Sequence, residues 1–195
     1  GGRENTRKYA ATNVEALPTE AETYWQINMP LAFGAKGIEY FTLIQPYYFS
    51  YDDTNGVDCA IYGCNTTADC GHSHDYNRCG LIGANGQPTT YYAYAQKANV
   101  QIKAVDEVLM KSTSKGVLAI GANAQANTTG LASMISIDTV SALEGVELSA
   151  ANDDGVIIGC FDYEGKDAFY VVNYDVENPQ TITLEFADGE TDYRV

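Results

Sequence analysis

Four cysteines, Cys59, Cys64, Cys70 and Cys79, lie in one stretch with His72 and His74 between the last two. Thiolate sulfur and imidazole nitrogen are the usual ligands of structural zinc, so this group has the composition of a metal site. Its spacing, Cys-x4-Cys-x5-Cys-x8-Cys, lacks the Cys-x2-Cys knuckle of common zinc sites. Two disulfides stapling a long exported loop account for the even number equally well, and free thiols are the third option. Asn65-Thr66-Thr67 in the same stretch fits a glycosylation acceptor. Cys160 stands alone in a β-rich run and reads as a small buried hydrophobe.

Glu39 is the carboxylate that asks for an explanation, because it stands among Ile38, Tyr40, Phe41, Leu43 and Ile44. A charge in so apolar a run needs a polar surrounding or a partner, either by hydrogen bonding within a core or by facing a substrate. Tyr40, Phe41, Tyr47, Tyr48, Phe49 and Tyr51 follow closely, and rings with an apolar face and a polar edge suit the C–H faces of sugars. We take Glu39, Tyr47, Tyr48 and Phe49 as candidate substrate-binding residues. No phosphate-cradling glycine loop, Ser-His-Asp signature or His-Glu-x-x-His helix is present.

These residues need elements to hold them. Thr19-Glu20-Ala21-Glu22 has the form of a capping box, and Ala21, Tyr24, Trp25, Met29, Ala32 and Phe33 recur at helical steps behind it. Gly34 to Gly37 stops that helix, and Glu20 and Glu22 are explained by its positive N-terminal end. Ile38–Ile44 predicts a strand covered on both faces, as in a parallel sheet. A long irregular excursion over 45–87 carries the cysteines. A second helix opens at Pro88-Thr89, with Tyr91, Ala95, Ala98, Ile102, Val105 and Leu109 in helical register over about 30 Å.

After Ser112 the pattern turns to short β-rich runs at 117–120, 133–137, 146–150, 156–163, 168–174 and 181–186, punctuated by Asp-Gly, Glu-Gly and Asn-Pro turns. Such spacing predicts an antiparallel sandwich. The expected division is therefore 1–115 and 116–195.

With 26 acidic against 11 basic residues the net charge is −15, which repels phosphate backbones and anionic lipid, so neither nucleic acid nor membrane is an expected partner. No apolar run approaches the roughly 20 residues of a membrane span. The first residues carry no signal-peptide pattern, which decides nothing if sequence upstream is missing.

The run Glu22-Thr23-Tyr24-Trp25-Gln26-Ile27-Asn28-Met29-Pro30-Leu31-Ala32-Phe33-Gly34-Ala35-Lys36-Gly37-Ile38-Glu39-Tyr40-Phe41 resembles the passage from seventh helix to eighth strand in (β/α)8-barrel glycoside hydrolases of the β-galactosidase type. Gly80 to Tyr92 is similar to their return into the eighth helix, and Ala98-Asn99-Val100-Gln101-Ile102 to that helix itself. The resemblance spans residues 17–110. It implies an α/β part, namely a partial TIM barrel of seventh helix, eighth strand and eighth helix, followed by an all-β part, an antiparallel sandwich of the accessory kind.

Such enzymes place two carboxyl groups about 5 to 5.5 Å apart when they retain configuration. The resemblance puts the acid on the fourth strand, upstream of this chain, and the nucleophile near the end of the seventh, which leaves Glu4 as the candidate catalytic residue. The implied function is the C-terminal part of a secreted or cell-surface glycoside hydrolase, inactive alone, with a carbohydrate substrate. Its expected partners are the missing upstream barrel residues or further copies of itself, and no cofactor is implied beyond a structural zinc at the cysteines. A non-catalytic carbohydrate-binding or surface module is the alternative, and a metal-stabilised interaction domain the third reading.

Overall fold

A capping box opens the first helix. In the computed structural model, which describes residues 18–40, 43, 51–52, 57–58, 80–82, 87–148 and 154–187, Thr19 Oγ1 accepts from the Glu22 amide at 3.2 Å. The Glu22 carboxylate accepts in return from the Thr19 amide at 2.8 Å, so two donors with no helical partner are satisfied reciprocally. Helix α1 then runs Glu20–Ala32. It ends in a Schellman motif: Ala35 N–H donates to Pro30 O and Gly34 N–H to Leu31 O, both at 2.9 Å, with Gly34 at φ 97°.

The chain divides into two compact units, Gly1–Tyr24 with Glu39–Ile102, and Trp25–Ile38 with Lys103–Val195. Two of the three cuts fall inside helices, α1 between Tyr24 and Trp25 and α2, Thr90–Lys111, between Ile102 and Lys103, and the third falls between Ile38 and Glu39, outside any helix or strand. Each of these helices therefore begins in the first unit and ends in the second.

In the first unit Tyr91 Oη donates to Pro18 O at 3.0 Å, Lys97 pairs with Glu20 at 2.8 Å, and Tyr40 Oη donates to Asn99 Oδ1 at 2.8 Å. The Ile82 amide donates to Leu43 O at 2.7 Å, and Ile82 and Pro88 form an isolated antiparallel bridge. Two short strands, β1 (Tyr51–Asp52) and β2 (Val57–Asp58), pair antiparallel within the stretch read as irregular. The strand predicted for Ile38–Ile44 is not formed over its described residues: 38–40 have no regular structure and Leu43 is a bend. Apolar character on both faces forecasts a strand, but a strand also needs a ladder, and among the described residues none pairs with residues 38–40.

The second unit is built on antiparallel pairs. Strands β3 (Thr113–Ile120), β5 (Val156–Tyr163) and β6 (Lys166–Asn173) form one sheet with β5 in the centre, and β4 (Leu143–Leu148) pairs with β7 (Ile182–Phe186) in another. Glu164 and Gly165, both at positive φ, make the two-residue turn between β5 and β6 that matches strand twist. A register shift between Ser114 and Gly116 leaves Lys115 as an extra residue against β5. The predicted strand at 133–137 reduces to one parallel bridge between Met134 and Val117, and Ile137–Thr139 is a 3-10 turn. Helix α3, Ala122–Thr128, has no counterpart in the sequence reading.

Alternation along the strands sorts two apolar clusters. Val117, Ile157, Val172 and Tyr174 join Ala32 and Ala124, with Trp25, Met29 and Phe33 of α1 packed against them. Leu118, Val156, Ile158 and Cys160 join Val140 and Leu143, with Val146, Leu148, Ile182, Leu184 and Phe186 of the β4–β7 pair. Ile157 and Ile158 are both wholly buried, on opposite faces, each worth roughly 1.5–3 kcal/mol of apolar burial. The fold is thus mixed helix and antiparallel sheet, with no barrel closure among the described residues.

Candidate functional site

Most of the predicted site residues, Glu4, Tyr47, Tyr48, Phe49, Cys59, Cys64, Cys70 and Cys79, with His72, His74 and Asn65, lie outside the described residues. Glu39 is described: it is exposed on the segment after α1, where the strand that made it awkward is not formed. Among the described residues no group of His, Cys, Asp and Glu is placed to hold a metal ion. The zinc reading of the cysteines lies outside them.

What the first unit does assemble is a group of tyrosines around an ion pair. Tyr91, Tyr94 and Lys97, three residues apart, follow one side of α2, since residues at that spacing are helical neighbours. The Tyr91 and Tyr94 rings meet edge to face, centroids 5.8 Å apart. Lys97 Nζ donates to Glu20 Oε1 at 2.8 Å, and the Tyr24 hydroxyl, one helical turn after Glu20, donates to the same oxygen at 2.9 Å. Glu20 is anchored in the first turn of α1, whose helix dipole also favours its negative charge.

The ionisation states follow. The Lys97 hydrogen bond, then that of Tyr24, holds the Glu20 carboxyl below its ordinary range, and the Glu20 contact raises Lys97. Partial burial, then the bond to Glu20, raises the Tyr24 hydroxyl. All three are moved away from neutrality, so this is a poor acid–base pair. With Lys97 62% and Glu20 39% exposed, the ion pair contributes little to stability by itself. It presents a charged acceptor and a charged donor beside part-exposed aromatic rings.

The second unit has an aromatic group of a different kind. Trp25 and Tyr174 meet edge to face at 5.7 Å, and Tyr170 Oη donates to Asn28 Oδ1 at 2.5 Å, inside the cluster under α1. Burial raises the Tyr170 hydroxyl. These contacts fasten the helix to the sheet.

The sequence reading treated Glu20 and Tyr24 as helix start and helix stripe, which they are. It missed their partners because Lys97 is 77 positions from Glu20. The i, i+3 run of Tyr91, Tyr94 and Lys97 was the available signal. No family model, curated protein or solved structure matches this chain.

Proposed function

We propose that the chain is the C-terminal part of a secreted glycoside hydrolase of the β-galactosidase-like barrel type, inactive without the residues that precede it. In this reading α1 is the seventh helix of the barrel, residues 38–44 occupy the place of its eighth strand, α2 is its eighth helix, and β3 to β7 form a sandwich-type accessory part.

The observation that carries the reading is the order of contacts that the chain after α1 makes along α2. A segment whose successive residues meet the following helix from its end towards its start runs against that helix, as the strand of a (β/α) repeat does. The contacts agree with such a path: Lys36 reaches the end of α2 at Leu109 and Ser112, Tyr40 reaches Asn99, and Leu43 meets Ile82 ahead of the helix. Residues 38–40 on that path have no ladder among the described residues, which fits a strand whose parallel neighbours come from elsewhere. The tyrosine and ion-pair cluster favours the second reading, a carbohydrate-binding module without catalysis.

The test is to express this chain alone and joined to the coding sequence contiguous with its first residue, and to assay both on aryl glycosides and oligosaccharides. Hydrolysis is expected from the longer protein only. Hydrolysis by the 195-residue chain, or an upstream frame without βα units, overturns the proposal. Binding without turnover by the longer protein selects the second reading.

A further inference from the structure

We infer that Tyr24, Tyr91 and Tyr94, with the Glu20–Lys97 pair, form a surface subsite for a neutral glycan chain. The inference rests on the barrel reading and adds to it a ligand class and a place.

The place comes from helix sense. In a (β/α) barrel the helices run against the strands, so helix N-termini lie at the end where the strands deliver substrate-binding loops. Glu20 and Tyr24 are in the first turns of α1, and Tyr91 and Tyr94 in the first turns of α2. The cluster therefore belongs to the substrate rim, on its helical side, where it meets a polymer extending beyond the active centre and not a small glycoside within it.

The ligand class comes from the chemistry. Aromatic rings offer flat surface to pyranose C–H groups, and Tyr91 and Tyr94 are held at a fixed angle. Adjacent sugar hydroxyls are donors and acceptors at once, and the Glu20 carboxylate and Lys97 ammonium, 2.8 Å apart, supply one charged acceptor and one charged donor. A uronic-acid polymer is disfavoured, because Lys97 is already neutralised by Glu20 and the chain as a whole carries −15.

The experiment is affinity electrophoresis of the 195-residue chain through gels containing soluble β-galactan, β-glucan or polygalacturonate. Retardation by a neutral polymer and none by polygalacturonate is expected. Tyr94→Ala and Lys97→Gln are each expected to bind about tenfold more weakly while keeping the thermal midpoint. Lys97 is exposed, so Lys97→Gln serves if Tyr94→Ala unfolds. No retardation in any gel, equal retardation of Lys97→Gln, or preference for polygalacturonate overturns the subsite. Retardation of a chain whose upstream frame lacks a barrel leaves the subsite standing and removes the hydrolase reading; hydrolysis by the longer protein without retardation does the reverse.

Discussion

Cys160 sits on β5 with 1% exposure, and burial, aided by the negative charge of Asp167, pushes its thiol up to about 11 from an ordinary 9.0. A thiolate is the reactive form, so Cys160 is expected to be silent to a thiol reagent in the native chain and to react once denatured. The same burial makes stability depend on alkaline pH. The folded pKa is the higher one, so its contribution is whole below pH 9 and is lost as pH rises towards 11, because the unfolded chain releases its proton first. The loss is on the order of 3 kcal/mol. Urea midpoints of the native chain and of Cys160→Ala between pH 8 and 11 check this: the midpoint of the variant is expected to fall less. At this scale the capping box was legible because Thr19 and Glu22 are three apart and their bonds are local. The Glu20–Lys97 pair was not, since nothing in a linear pattern says which distant lysine will arrive.

Helix α1 meets β5 backbone to backbone, and Gly159 makes the approach possible. A Cβ placed there lies 2.2 Å from Ala32 O, an atom fixed by the helix. Gly159→Ala forces α1 off the sheet and is expected to lower stability by about 1–3 kcal/mol, read as a fall in urea midpoint, while an unchanged midpoint means the contact is looser than described. Beside it Lys36 donates to Leu109 O and Ser112 O and lies 5.9 Å from the Phe161 ring centroid, which gives the carbonyl end of α2 a cation of the sign its dipole favours. Elements with their own period were legible: α1, α2 and the β5–β6 hairpin stand close to their expected bounds, β5 at 156–163 without shift. Helix α3 was not, because seven residues of Ala, Asn, Gln and Thr have little tendency to form one in isolation. It is stabilised by burial of Ala124 and Thr128, which is tertiary information.

For the molecule as a whole, the sandwich expectation rested on counting strands, and counting says nothing about which helix covers the sheet. Trp25, Met29, Ala32 and Phe33 close one side of the β3–β5–β6 sheet from a position some 80 residues before β3. A chain beginning at Lys103 keeps β3 to β7 and loses that cover. It is expected to lose its cooperative thermal transition and near-ultraviolet circular dichroism, and a sharp transition at the original midpoint would show that the strands suffice.

Because the two units alternate along the chain, with cuts inside α1 and α2 and one between Ile38 and Glu39, neither half is a contiguous stretch of gene. Recombination that transplanted the sheets with one crossover would deliver them roofless, so residues 25–38 have to travel with them or be replaced by a new roof in the recipient. Inheritance of the two halves is therefore tied, and a relative that keeps one while exchanging the other needs several coordinated breakpoints to arise.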